Sequence, residues 1–255
     1  MKLRLLTLLS SLSCAIPMAH VSVTAIPIML GTAINLLSSS ATMAAQFRLP
    51  TPPNRGAAGN RRGAASRGDC EATSERLTAL VPEYPKTVQG KKLPSQVWGL
   101  TAAERPMLWF YQPYTKASIS NIQVILRDEA KPSNQVIYRT SLPPAQTPGI
   151  QGVALTNVPL EVNKTYHWYL KLTMNCTVPE PIFAEGWIQR VQLNVPASLA
   201  VYAEKGIWYD AIATVAQSRQ TKPTDLALLQ DWTNLLKSAQ LDSLASQPFA
   251  KPANR

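Results

Sequence analysis

Past residue 44 the chain holds one histidine, His167, and two cysteines, Cys70 and Cys176. A single histidine excludes a multi-histidine metal centre, and the cysteines show neither CxxC nor zinc-ligand spacing. No metal ligands and no cofactor are therefore expected. A GxSxG elbow and a phosphate loop are missing. The glycines of RGAAGNRRGAASRG follow no strand, so they do not form a phosphate cradle. A Ser–His–Asp triad would have to use His167, which strand alternation places on the solvent side. Acid/base chemistry would need two carboxylates. Glu104, Asp128, Glu129, Glu161, Glu185 and Asp210 are available, but no spacing pairs them. Glu185, beside Gly186 and Trp187, is a weak catalytic candidate.

The cysteines lie 106 positions apart. In an oxidising compartment they are expected to pair, closing a loop that stabilises the fold by about 4.7 kcal/mol in a chain-entropy treatment. Two buried free thiols are the alternative. Six tryptophans and eight tyrosines supply a different chemistry, ring contacts to a protein or a glycan. Tyr169 points outward if Tyr166 and Trp168 point inward, and Trp187 fits either face. These two are the candidate binding aromatics, against the plainer reading that nearly all the rings are core.

Short β-type runs must carry these residues. RLTALVPEY, QVWGL, PMLWFYQPY, NIQVILRDE, QVIYRTSL, GVALTNVPL, TYHWYLKLTM and EGWIQRVQL recur between turn signals, which predicts an antiparallel sandwich or barrel. In TYHWYLKLTM, Tyr166, Trp168, Leu170 and Leu172 alternate with His167, Tyr169, Lys171 and Thr173. Leu160, six residues before Tyr166, completes a spacing that resembles the tyrosine corner of immunoglobulin-like and fibronectin type III sandwiches. Trp109 is a candidate for the central packing ring. Beyond Val195 the period becomes helical. Pro196 suits a first turn, and Gly206 interrupts SLAVYAEKGIWYDAIATVAQ. In DLALLQDWTNLLKSAQL a cap is expected at Thr224 or Asp225, with Leu229, Trp232, Leu236 and Ala239 on one face.

The first residues combine a basic start with apolar runs and a small-residue site at Thr42 and Ala44, the pattern of a secretory signal peptide over 1–44. Pro17, Pro27 and Gly31 interrupt it, which disfavours a spanning helix of about 20 apolar residues, although an uncleaved anchor is the rival reading. The formal charge is +10, yet from Asp69 onward 18 bases face 15 acids, a net of +3. The folded part therefore lacks the footprint of a nucleic-acid binder. Residues 45–68 read as a flexible basic Pro/Gly/Arg linker. Residues 69–195 then form a β-sandwich, 196–241 a helical segment packed on it, and 242–255 a disordered tail.

RRGAASRGDC, LTALVPE, ERPMLWFYQPY, VIYRTSLP, PGIQGVAL, YHWYLKL, EGWIQRV and GIWYDA together resemble a cyanobacterial family of exported proteins, domain-of-unknown-function family 928. The resemblance spans roughly residues 55 to 240. It implies export and a single unit, and brings no activity or site residue with it. The expectation is a periplasmic or extracellular, immunoglobulin-like β-sandwich with a C-terminal α-helical appendage. Its role would be non-catalytic binding or assembly in the cell envelope, with a protein or glycan partner. Nucleic acid is not expected as a partner, and membrane contact is expected only through the leader or the linker. The alternative is a hydrolase of envelope polymers using carboxylate chemistry.

Overall fold

A computed structural model describes residues 47–53, 59–130 and 135–252. The proposed leader, 1–44, lies outside the described residues. The described residues form nine strands: β1 (Thr78–Ala79), β2 (Glu83–Val88), β3 (Lys91–Thr101), β4 (Met107–Gln112), β5 (Ile119–Asp128), β6 (Gln135–Leu142), β7 (Gly149–Ala154), β8 (Thr165–Met174) and β9 (Pro181–Arg190). They make a three-stranded sheet, β1-β4-β7, and a six-stranded sheet, β2-β3-β9-β8-β5-β6. All pairings are antiparallel except that of β3 with β9, which is parallel from Trp98↔Trp187 to Thr101↔Arg190. Over the described residues the protein is thus mainly β, with two sheets and three α-helices.

The period-2 pattern of β8 fixes which face is buried. Tyr166, Trp168, Leu170 and Leu172 are all at most 2% exposed and join one core with residues of both sheets and the helices. Trp109 on β4 lies in the same core and meets the Phe249 ring edge-on at 6.1 Å. Leu160 is buried, and the Glu161 N–H donates to Tyr166 Oη at 3.0 Å, so the hydroxyl is tied back to the chain before it.

The helices follow their end signals closely. Ser198 caps α1 (Leu199–Lys205) by accepting from the Val201 N–H, so Pro196 lies before the helix rather than in its first turn. Gly206 ends α1 at φ 66°, a left-handed conformation that glycine adopts without a Cβ clash. α2 (Trp208–Thr221) then packs on β3 and β4, and Asp210 anchors it by accepting from Thr101 Oγ1–H at 2.6 Å. Asp225 caps α3 (Leu226–Ser238), taking the Ala227 and Leu228 N–H groups, and α3 packs on α2. Its buried stripe is Trp232, Leu235, Leu236 and Ala239. Leu229 is 40% exposed, so Leu235 fills the place expected for it.

Two segments expected to be loose are built in. Asn60 and Arg61 lie inside the proposed linker, yet Ala79 N–H donates to Arg61 O and Glu185 N–H to Asn60 O. Arg61 is 3% exposed and donates to Val81 O, Ala239 O and Gln240 O, with Glu83 at 3.3 Å. Burial pulls its guanidinium down to about 10, which Glu83 opposes. Composition suggested a solvated arginine, but three carbonyls and a carboxylate await this one. The proposed tail is also ordered over its described part. Leu244 is buried, Phe249 bridges to Ile150, and the Phe249 ring packs 5.5 Å from Trp232. Two ring partners, Trp109 and Trp232, and a backbone pairing offset the cost of ordering it.

Candidate binding face

The residues whose types suit chemistry meet on the outer face of the six-stranded sheet. Because β8 lies between β5 and β9, the register sets them in rows. His167 stands between Trp187 and Arg127, Tyr169 between Glu185 and Ile125, and Lys171 between Phe183 and Gln123. The alternation that buries Trp168 and Ala184 turns these side chains the other way.

His167 is the hub, and the expectation of a solvent-exposed histidine is corrected here. It is only 6% exposed. Its ring stacks on Trp187 at 4.1 Å and 16°, and lies 4.1 Å from the Tyr169 ring. Large rings on neighbouring positions cover the smaller imidazole, which period alone does not show. Nε2 is 2.9 Å from Glu185 Oε2. Nδ1 is 2.8 Å from Tyr169 Oη and 3.4 Å from Glu129 Oε1. One imidazole therefore bridges two carboxylates from opposite sides.

Glu185 is clamped from its far side as well. Its Oε1 accepts the Asn60 N–H at 2.8 Å. At Gly59 a Cβ would come within 3.3 Å of Glu185 Cγ, so the passing chain closes in on the carboxylate. Burial pushes the Glu185 carboxyl up, but the His167 and Asn60 hydrogen bonds outweigh it and hold the group below its ordinary range. An ionised Glu185 accepts only, so Nε2 must carry a proton. In the neutral ring Nδ1 then accepts from the Tyr169 O–H. In the imidazolium it donates toward Tyr169 and Glu129. The Arg127 guanidinium lies 5.0 Å from the Tyr169 ring centroid, a cation–π contact. Burial raises the Tyr169 hydroxyl, which Arg127 opposes and the two glutamates reinforce.

Tyr169 and Trp187 are half-buried, lying outward but flanking His167, while Phe183 is 42% exposed. Sequence reading singled out Glu185, Tyr169 and Trp187 separately. The structure brings them together through His167, and adds Glu129, Arg127 and Asn60. The register that pairs Arg127 with His167 needed knowledge of which strands are neighbours. Leu160 and Tyr166 lie on the other side of β8, in the core. Cys70 and Cys176 form a disulfide elsewhere. Asp69 lies close to both sulfurs, but they are bonded to each other and Asp69 accepts from the Thr177 N–H and hydroxyl. That group is a brace rather than a set of thiolate ligands.

A mainly β, disulfide-linked protein with a charged aromatic sheet face is the class these features define. The chain belongs to the family described as Domain of Unknown Function (DUF928), whose model matches residues 62–249. No curated protein sequence matches it. Among solved structures it is similar to the PmoD soluble domain from Methylocystis sp. ATCC 49242 (Rockwell), at 12% identity and a TM-score of 0.27. That likeness covers 46% of this chain and 94% of the other.

Proposed function

We propose that the chain is an exported, non-catalytic binding or assembly module of the cell envelope, built as an immunoglobulin-like sandwich, whose contact surface is the outer face of the six-stranded sheet. The observation that carries this reading is the locked row of Trp187, His167 and Tyr169. Ring stacking and two carboxylates hold these side chains in place before any partner arrives, so little rotamer entropy is left to lose on binding. Phe183 and Lys171 extend the face toward solvent. The Cys70–Cys176 bridge supports an oxidising compartment. Among the described residues no helix is long and apolar enough to cross a membrane.

A photocrosslinking residue in place of Phe183, in the producing cell, tests the reading. A discrete adduct to one envelope protein or glycan is the expected outcome. Adducts only from control positions on the opposite sheet would remove the assignment.

The hydrolase alternative draws on the two carboxylates flanking His167. A glycosidase needs one acid held protonated near neutrality, with its carboxyl raised. Glu185 is shifted the other way. Clearing of an envelope-polymer gel by the wild type, lost in Glu185→Gln, would revive it.

A further inference from the structure

The β2–β3 hairpin is built differently from the other described strand pairs. Its turn, Gln89-Gly90, has φ values of 49° and 75°, the positive pair of a two-residue hairpin whose twist suits the strands. β3 pairs with β9 only from Trp98 onward, whereas Lys86, Thr87 and Val88 face Leu93, Lys92 and Lys91. The last turn of ladder is thus a two-stranded ribbon, reaching about 13 Å from Lys86 to the turn at about 3.3 Å per residue.

Its composition is one-sided. From Tyr84 to Ser95 there are three lysines, Lys86, Lys91 and Lys92, and no acid. None of the three makes an ion pair among the described residues. The charge that sequence reading assigned to the linker is differently placed: Arg61 is buried and spent on carbonyls and Glu83. The ribbon's charge is unspent. Register puts Lys86 beside Leu93 and Val88 beside Lys91, so one face alternates cation and hydrocarbon. Val88 is 47% and Leu93 37% exposed. Lys92 lies on the other face with Thr87.

We propose that this ribbon is a docking arm for an anionic phospholipid surface. Lysines alone would suit any polyanion. The two apolar side chains among them decide the partner, because they gain only where hydrocarbon lies beneath the negative charge. The lysine stems can lie along that hydrocarbon while the ammonium groups stay at the headgroups. Each lysine near an anionic leaflet strengthens binding several-fold, so three contribute on the order of a hundredfold. A β-ribbon with a tight turn delivers these groups preformed, on the opposite side of β3 from its pairing with β9.

The test is flotation of the full chain with vesicles of phosphatidylcholine alone or with about 30% phosphatidylglycerol, a fraction chosen to give a strongly anionic surface. Three chains are compared: wild type, Lys86→Glu/Lys91→Glu/Lys92→Glu, and Val88→Ser/Leu93→Ser. All keep the leader and the linker arginines, so those segments cancel. Far-ultraviolet circular dichroism and an intact disulfide confirm that the variants fold. Expected is binding to the anionic vesicles that 0.5 M salt weakens, a drop of tenfold or more in the triple variant, and a several-fold drop in the double variant. Wild-type binding that ignores lipid charge, or a triple variant that binds as well, would overturn the arm. An unchanged double variant would overturn the lipid as its partner and leave a soluble polyanion. None of these outcomes depends on the sheet face proposed above, since Phe183 and Tyr169 are unaltered.

Discussion

The two faces of β8 are made from one stretch of ten residues and behave as different materials. Trp168 on the inner face is fully buried and its one polar atom has one fixed partner, Tyr209 Oη at 2.7 Å, which in turn donates to Trp187 O. His167, one residue earlier, is nearly as buried on the outer face, yet both ring nitrogens face ionisable groups. Inside, burial is permanent and apolar. Outside, it is made by neighbouring side chains and depends on charge. The first kind supports a core and the second a surface that is rigid while it stays chemically responsive.

The sharpest way to break the contrast is Trp168→Ala. Removing a fully buried indole costs about 3–5 kcal/mol, and Tyr209 Oη loses its donor. Urea unfolding should show a large fall in midpoint with the slope unchanged. A loss under about 1 kcal/mol would mean the inner face is far less tightly packed than its burial implies.

Arg61→Met comes next, at about 3 kcal/mol, because it leaves three carbonyls and Glu83 without their donor. The same unfolding experiment reads it. If the segment around Arg61 were a tether, the midpoint would not move.

How much of this was legible beforehand follows the range of each interaction. Local signals were readable: the alternation of β8, the interruption at Gly206, and a cap at Thr224 or Asp225, of which Asp225 is used, each of which acts within a few residues. The cysteine pair was readable because only two cysteines remained. The parallel neighbourhood of β3 and β9 was not, since alternation tells which way a side chain faces and never which strand lies alongside. Arg61 and Phe249 were misread for one reason. Composition counts what a segment brings, while the carbonyls of Ala239 and Gln240 and the rings of Trp109 and Trp232 are supplied by distant chain. The outer face suffered from the same limit. Glu129 and Arg127 were in plain view in the sequence, but only the β5–β8 register makes them neighbours of His167.

The charge dependence of the outer face is tested by Glu185→Gln, expected to cost about 1 kcal/mol at neutral pH for weakening one charge-assisted contact. The folded carboxyl lies below its unfolded value, near 4.3. Its contribution is therefore present above that pH and lost as pH falls through the lower folded value. Midpoints of the wild type and variant, separated at pH 7, should converge on acidification below about pH 4. A gap that does not narrow at all on acidification would mean the Gln disturbs packing rather than charge.

The smallest effect on stability is expected at Phe183→Ser, and it bears most directly on function. A ring 42% exposed at the margin of the sheet supports little, so the unfolding midpoint should shift by no more than about 0.5 kcal/mol. Aromatic side chains at a contact commonly carry far more than that in binding. With the photocrosslinking residue moved to Lys171, opposite Phe183 on β8, the variant should therefore fold like the wild type and lose its adduct, recovered with Phe183→Tyr, which restores a ring. A stability loss of 2 kcal/mol or more would place Phe183 with Trp168 as a packing residue. The outer face would then be a second core lacking its cover, and the distinction between the two sides of β8 would fail at its edge.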